Sequence, residues 1–288
     1  HLLKKYKPKK IIIFSRDELK QFEMQKIFKH KCLRFFIGDV RDYSRLKLAT
    51  KDVDILIHAA ALKQVPTAEY NPMECIKTNV YGTENIITVS LENKIKKVIA
   101  LSTDKACNPV NLYGASKLAA EKLFVAANNL TGKDNIQFSI VRYGNVFGSR
   151  GSIVPLFEEK IKNKEYLLPV TDKNMTRFFI SPDDAVKFVT KCISMMKGGE
   201  TFIPKSPSCK IIDLAKSISA KAKIKIIGIR PGEKLYETLC PSEVSHLTLS
   251  FKDHYVIKPA ITFVEKLDNY ERNGIGETGK PVPLNFEY

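Results

Sequence analysis

Tryptophan is absent from this sequence of 288 residues, glycine and proline number only 14 each, and acidic residues fall well short of basic ones. So little glycine and proline excludes collagen-like and low-complexity chains, and a 44% hydrophobic content with 9% aromatics excludes disorder. No apolar run approaches the ~20 residues that a membrane-crossing helix needs. The longest, Val53 to Leu62, already carries Asp54 and His58. The first residues lack both the apolar core of a signal peptide and the Ser/Arg enrichment of a transit peptide. The six cysteines contain no C-x-x-C pair, which removes support for a zinc knuckle or a thioredoxin-type centre and leaves free thiols in a reducing cytoplasm. His1, His30, His58, His246 and His254 show no metal-ligand spacing, so no metal is expected. Neither a P-loop nor a Ser-His-Asp pattern occurs.

The net charge is +16, from 47 Lys and Arg against 31 Asp and Glu. That balance suits anionic partners: nucleic acid, anionic lipid or a phosphorylated small molecule. The basic residues are mostly lysines spread along the chain, and only Lys4 to Lys10 forms a patch. Solvated faces account for this better than a nucleic-acid footprint. Neither nucleic acid nor a membrane is expected as a partner.

Apolar segments at Lys9–Phe14, Arg34–Val40, Val53–Ala60, Lys97–Ser102 and Phe138–Val146 read as strands. They alternate with helical stretches at Asp17–His30, Asp42–Thr50, Asn71–Glu92 and Leu112–Asn129, with Asn71 as N-cap and Pro72 at the first helical position of the third. This rhythm predicts an α/β fold with a Rossmann-like, doubly wound parallel sheet. After Gly148 the rhythm changes. A helix is expected at Pro155–Asn163, a strand at Thr176–Ile180 and a Ser181-capped helix to Met196, followed by short pieces and a turn at Arg230-Pro231-Gly232-Glu233. Residues 1–146 are thus expected to form a dinucleotide-binding domain. Residues 147–288 would form mainly a smaller mixed α/β substrate domain, with about 176–205 packing back on the first.

The chemistry gathers in Ser102-Thr103-Asp104-Lys105 and Tyr113-Gly114-Ala115-Ser116-Lys117. Tyr113 and Lys117 are four apart and share a helix face. An ammonium near a phenol lowers its pKa, and such a Tyr can take a proton from a sugar hydroxyl while a hydride leaves the same carbon. Lys117 could also hold a nicotinamide ribose. Thr103, Asp104 and Lys105 follow the end of a strand, where open α/β sheets bind ligands. An acid and an amine side by side there can serve as general acid and base; the plainer alternative is an exposed loop pair with Thr103 as a helix cap.

At the end of the strand Lys9–Phe14, Ser15, Arg16 and Lys20 suit the extra phosphate of NADP, while Asp17 keeps NAD open. A basic loop opening a helix would look the same. Asp39 and Val40 could line the adenine; Ala59 to Leu62 are mostly small enough for close backbone approach, and Lys63 could reach a phosphate. The glycines Gly144, Gly148 and Gly151 follow a strand at the far end of the sheet and read as a substrate loop, with Val146 beside the cofactor. Asn145, Arg150, Arg177, Arg230 and Glu233 are candidate substrate ligands, arginine suiting bidentate diphosphate contact; each arginine alone reads more readily as a surface residue, and only the shared fold context promotes it.

These residues together resemble a known family. Gly38-Asp39-Val40-Arg41-Asp42, His58-Ala59-Ala60-Ala61-Leu62-Lys63, Leu101-Ser102-Thr103-Asp104-Lys105, Asn111-Leu112-Tyr113-Gly114-Ala115, Val141-Arg142-Tyr143-Gly144-Asn145-Val146 and Arg230-Pro231-Gly232-Glu233-Lys234 are similar to the extended short-chain dehydrogenase/reductases. More closely, they resemble the soluble inverting UDP-N-acetylglucosamine 4,6-dehydratases that begin pseudaminic acid biosynthesis and serve flagellin glycosylation. Lys105 stands where nucleotide-glucose dehydratases carry Glu, and Tyr113 where the large membrane-bound relatives tend to carry Met. The resemblance implies an NADP-dependent cytoplasmic lyase acting on a UDP-sugar, and a homo-oligomer built on the helices Asn71–Glu92 and Leu112–Asn129. Tyr113, supported by Lys117, would open oxidation at sugar carbon 4. Lys105 would remove the proton on carbon 5, Asp104 would protonate the departing hydroxyl of carbon 6, and Thr103 would bond the oxygen on carbon 4. Asn145, Arg177 and Arg230 would hold the UDP part. The family's first strand and glycine loop, roughly 25–30 residues of a dinucleotide fold, would precede His1, and a tail would follow Tyr288. On that reading the 288-residue chain alone binds NADP poorly or misfolds, and adding the N-terminal segment restores activity. Rival readings are a UDP-sugar 4-epimerase or NADP reductase of the same fold, and a non-catalytic NADP-binding protein.

Overall fold

Strands of Ile, Val and Phe that end in small or polar residues build a sheet covered on both faces. A computed structural model describes residues 1–261 and 269–288. The first half contains α1 (Leu2–Lys5), β1 (Ile11–Ser15), α2 (Glu18–Ile27), β2 (Leu33–Ile37), α3 (Tyr43–Ala49) and β3 (Ile55–His58), then α4 (Val65–Tyr70), α5 (Pro72–Ile76) and α6 (Gly82–Glu92). It continues through β4 (Lys97–Thr103), α7 (Leu112–Ala127) and β5 (Gln137–Tyr143). The second half contains β6 (Asn145–Val146), α8 (Ile153–Lys162), β7 (Leu167–Val170), β8 (Thr176–Ile180), α9 (Pro182–Met195), β9 (Thr201–Pro204) and β10 (Ser208–Lys210). It ends with α10 (Ile211–Ile218), β11 (Lys223–Ile226), β12 (Thr248–Ser250), β13 (His254–Ile257) and β14 (Lys280–Pro281).

The main sheet runs β14-β12-β13-β9-β5-β4-β3. Its β3, β4, β5 and β9 are parallel, and β13, β12 and β14 extend it antiparallel. Successive residues of β4 serve opposite faces: Val98 and Ala100 join Phe124, Phe138 and Ile86 in one core, while Ile99 joins Phe188, Cys192 and Met195 of α9 in the other. Each fully buried Ile or Phe there contributes ~1.5–3 kcal/mol. A smaller lobe gathers Phe157, Leu168, Val170, Ile211 and Leu214 around α8 and α10. β1 pairs with β2 in a separate two-stranded sheet, so among the described residues no hydrogen-bonded strand joins β1 to β3.

Three sequence expectations are corrected. The strand expected to run unbroken to Val146 stops at Tyr143, and β6 pairs with β8 in another sheet. Gly144 makes the break: a Cβ there would come within 2.6 Å of Phe178 Cβ and 2.7 Å of its carbonyl oxygen. The helix expected over Asn71–Glu92 is α5, a π-helical turn at Lys77–Tyr81, and α6. Asn71 precedes Pro72 as expected but makes no side-chain cap bond, its amide donating back to Thr67 O at 3.1 Å. α4 and the antiparallel additions β12 to β14 lie in stretches too short or too polar to announce themselves.

A buried ion pair ties the central sheet to its cover. Arg142 on β5 bonds Glu121 on α7 through Nε at 3.0 Å and Nη2 at 2.5 Å, and its Nη1 donates to Leu239 O at 2.9 Å. Arg142→Ala would strand the Glu121 carboxylate in the interior, a loss of ~3–5 kcal/mol. Urea denaturation should show it as a lowered midpoint; an unchanged midpoint would mean that Glu121 finds water or another partner.

Candidate active site

β4 ends in Thr103, and the chain turns at once into a single 3₁₀ turn, Asp104–Ala106, with Thr103 as its N-cap. Thr103 Oγ1 accepts from the Lys105 amide at 3.4 Å and donates to Asp104 Oδ1 at 2.8 Å. This places Asp104 at the carboxyl end of the parallel strands. Lys105 Nζ lies 3.1 Å from Asp104 Oδ1 and 3.4 Å from Glu237 Oε1. The side chains of Asp104, Glu237 and Lys105 are 0%, 3% and 24% exposed, so the amine is the member that a ligand can reach. The reading of Asp104 and Lys105 as an exposed loop pair fails on that burial. Burial opposes the Lys105 charge, but Asp104 and Glu237 more than offset it and raise its pKa, so the resting group is an ammonium. Asp104 Oδ2 is buried with no hydrogen-bond partner.

The helix α7 begins against this turn. Asn111 caps it by accepting from Gly114 N at 2.8 Å. Gly114 is pressed so closely on the Lys105 carbonyl that a Cβ would overlap that oxygen. The Tyr113 phenol hydrogen-bonds the Thr103 side chain. Burial pushes the phenol's pKa up, opposed by the Lys105 charge and the Thr103 bond. The expected support from Lys117 is corrected here. Its Nζ donates to Leu101 O at 2.7 Å, so the helical spacing puts the ammonium on the right face while the strand beneath accepts one of its hydrogen bonds. Burial lowers Lys117 to about 8.

The π-helical turn supplies a brace that sequence reasoning missed. Its extra residue brings Asn79 inward, where Oδ1 accepts from Leu62 N at 2.8 Å and Nδ2 donates to Leu62 O at 2.9 Å and to Ser116 Oγ at 2.9 Å. One side chain thereby links the loop after β3 to the helix carrying Tyr113 and Lys117. His58, at the end of β3, stacks on Phe124 and is pushed down to about 3 by burial, which makes it a neutral packing group.

The cofactor candidates divide. Ser15, Arg16, Asp17 and Lys20 follow β1, with Asp17 spent as the N-cap of α2. Asp39 is bridged by Arg16 at 3.4 Å and Arg41 at 2.8 Å, and the Arg41 hydrogen bond leads the causes that hold its carboxyl below the usual range. The Val40 side chain packs in the core. Ala59 is exposed after β3, and Lys63 has its pKa lowered by burial and by the charge of Lys105, which places it in the same neighbourhood. Val146 sits on β6 beside Asn145.

Among substrate candidates, Arg150 is exposed next to Gly151, whose added Cβ would lie 2.5 Å from Gln64 Nε2 in the loop after Lys63. Arg230 is exposed and bonded to Glu233, which also accepts from Thr171 at 3.0 Å. Arg177 is corrected. It is buried, with Nη1 and Nη2 spent on the carbonyls of Thr176, Leu235 and Lys234, so it braces the turn that carries Glu237 and is not free to clasp an anion. Glu237 itself was missed, since a Glu in a short irregular stretch far from Lys105 in sequence has no local signature. Away from the site, the fold brings Asp253, His254 and Glu277 together, a cluster invisible in histidine spacing; Lys191 already bridges its carboxylates at 3.0 and 2.9 Å.

A parallel sheet with Thr-Asp-Lys at its carboxyl edge and a Tyr-x-x-x-Lys helix beside it defines an extended short-chain dehydrogenase/reductase. The chain belongs to the polysaccharide biosynthesis protein family, which it matches over residues 1–259. It is 58% identical over 287 residues to the UDP-N-acetylglucosamine 4,6-dehydratase (inverting) of Campylobacter jejuni subsp. jejuni serotype O:2, covering 100% of this chain and 86% of that protein. It is 48% identical over 240 residues to a UDP-glucose 4-epimerase of Rickettsia bellii, covering 82% of this chain and 70% of that one. Among solved structures it is similar to Pen from Bacillus thuringiensis, with a TM-score of 0.85, 40% identity, and coverage of 88% and 82%.

Gly114→Ala tests whether α7 is seated on the catalytic turn. The new methyl must displace the Lys105 carbonyl, and a shift near 1 Å costs about 10²-fold in rate. We expect kcat to fall to that extent with the fold retained by circular dichroism; wild-type kcat would show that the seat is not needed.

Proposed function

We propose that this protein is a C5-inverting UDP-N-acetylglucosamine 4,6-dehydratase, a hydro-lyase that uses NADP catalytically and releases a UDP-4-keto-6-deoxy-N-acetylhexosamine. The observation that carries the reading is Lys105 beside Asp104, whose Oδ2 is buried and unpartnered. An epimerase or a simple reductase has no use for a base at carbon 5 next to a carboxyl group free to donate. A non-catalytic NADP-binding protein would have no need of a Tyr113 phenol close enough to Lys105 to feel its charge.

The cofactor's fit rests on Lys117, buried with a single carbonyl partner, and on the basic group Arg16, Lys20 and Arg41 around the ends of β1 and β2. Ser15, Arg16 and Lys20 would hold an adenosine 2′-phosphate. That choice favours NADP, because the Asp17 and Asp39 carboxylates are already engaged. When bound, the nicotinamide supplies a reversible hydride acceptor. Lys117 and the Ala59 loop would orient it, with Val146 and the Val40 backbone at its margins. Among the described residues no glycine-rich turn precedes β1 to cradle a pyrophosphate.

The chain's own residues supply the proton chemistry. Tyr113 must first lose its own proton to solvent, which burial opposes and the Lys105 charge favours; the phenolate then takes the proton of the carbon 4 hydroxyl, with Thr103 holding that oxygen. Lys105 first passes a proton to Asp104, which gives a neutral amine and a carboxylic acid within 3.1 Å. The amine removes the proton on carbon 5, acidified by the 4-keto group, and Asp104 returns its proton to the hydroxyl leaving carbon 6 as water. The pair is then back in its resting charge state; carbon 6 would take back the hydride lost from carbon 4, and carbon 5 would take a solvent proton on the opposite face, which gives the inverted 4-keto-6-deoxy product, while Tyr113 returns its extra proton to solvent. Lys63, Asn145, Arg150, Arg230 and Glu233 would hold the UDP part, drawn mainly from the lobe within residues 147–288, while Arg177 acts through the turn it braces. Among the described residues no helix is long and apolar enough to cross a membrane; a cytoplasmic enzyme supplying pseudaminic acid synthesis is part of the same proposal.

Incubation with UDP-N-acetylglucosamine and NADP in deuterated water should give deuterium at carbon 5 and a 4-keto-6-deoxy product without net NADPH. Lys105→Ala should abolish elimination and spare cofactor binding. Release of a carbon 4 epimer with no elimination would replace this reading with the epimerase. We also propose that Tyr70, Met73 and Tyr81, exposed along the helical run from α4 to α6, pair with a second copy. Met73→Glu should then shift the protein toward monomer in light scattering, and an unchanged mass would remove that face from the oligomer.

A further inference from the structure

Glu237 is held over the catalytic turn by contacts that leave it little freedom. Asn111 Nδ2 donates to Gly232 O at 2.7 Å, Lys234 Nζ to Cys107 O at 2.6 Å, and Arg142 Nη1 to Leu239 O at 2.9 Å. The carboxylate between these anchors is 3% exposed. Its Oε1 lies 3.4 Å from Lys105 Nζ and 3.9 Å from Arg177 Nε. Its Oε2 lies 3.5 Å from Lys234 Nζ but accepts no hydrogen bond.

A buried carboxylate is costly to keep, and its usual justification is a cation that would otherwise lack a partner. Arg177 and Lys234 do not need Glu237, since both already donate to backbone carbonyls. Among the described residues Lys105 has no such carbonyl, and its partners are carboxylates. With Asp104 alone, a four-carbon stem leaves the amine free to swing, and a second carboxylate restricts it.

We propose that Glu237 is a positioning residue for the dehydration, holding the Lys105 amine beside Asp104 and setting by its charge how readily that amine gives up its proton. The inference rests on the dehydratase reading above. The groups around Lys105 are Asp104, Glu237, Arg177, Lys63 and Tyr113, with Lys234 facing Glu237 from beyond. Of the two carboxylates, Glu237 alone takes no part in the proton ledger, so its charge can be removed without deleting a reacting atom.

The test compares the wild-type holoenzyme with Glu237→Gln and Glu237→Asp in turnover of UDP-N-acetylglucosamine across about pH 6 to 10. Removing a negative neighbour lets an ammonium lose its proton more readily. In the Gln variant the limb of the rate profile that tracks the amine should therefore move about one unit or more to lower pH. Its plateau kcat should fall about tenfold with KM changed less than about threefold, because the group acts on the reacting amine and not on substrate binding. The Asp variant keeps the charge but shortens the reach, so it should lower kcat without moving the limb. A Gln profile superimposable on wild type overturns the proposal whatever happens to thermal stability. If the Gln variant does not fold, wild-type kcat in the Asp variant overturns it instead. A wild-type enzyme that fails to dehydrate the UDP-sugar overturns the dehydratase reading, and is thereby told apart from failure of the Glu237 assignment.

Discussion

An ammonium flanked by two buried carboxylates organises this molecule. Asp104 and Glu237 are both buried, and each lies within 3.4 Å of the one Lys105 ammonium. The two acids come from distant parts of the chain. Asp104 belongs to the turn that ends a central strand, while Glu237 arrives on an irregular stretch secured by Arg142 and Asn111. The core packing, the Thr103 cap and the press of Gly114 on the Lys105 carbonyl all limit how far these three groups can drift apart.

Arg142 makes that arrangement a property of the whole fold. Its guanidinium spans Glu121 on α7, one helical turn beyond Lys117, and the carbonyl of Leu239, two residues beyond Glu237. The helix that carries Tyr113 and the cover that carries Glu237 are therefore tied to a common strand. Arg177 performs the matching task by bonding the adjacent carbonyls of Lys234 and Leu235, just ahead of Glu237.

Much of this was legible in the order of residues. The alternation of apolar strands with helices gave the α/β class, and the strand before Thr103 located the turn that carries Asp104 and Lys105 at the carboxyl edge of the sheet. Tyr113 was found because a four-residue helical spacing is a local property. What stayed hidden depends on distance in sequence or on small departures from regularity. Glu237 could not be paired with Lys105 by any periodicity. Lys117 lay on the expected face, yet the Leu101 carbonyl beneath it captured its ammonium. Arg177 looked like a surface arginine ready for a diphosphate, and burial turned it into a brace. The π-helical turn was invisible because Lys77–Tyr81 carries neither glycine nor proline to mark a break, and only the bond from Asn79 to Leu62 reveals why the ladder slips there.

That slip has a consequence for how the chain tolerates insertions and deletions. A widened turn holds one more residue than a regular helix of the same span. Losing a single residue between Lys77 and Tyr81 would let the helix close into ordinary winding while its two ends kept their present places. Length variation here would be nearly silent for packing, yet it would turn Asn79 away and release the loop behind Lys63. Relatives that are shortened at this point should fold normally and differ chiefly in how firmly they grip what lies above the sheet.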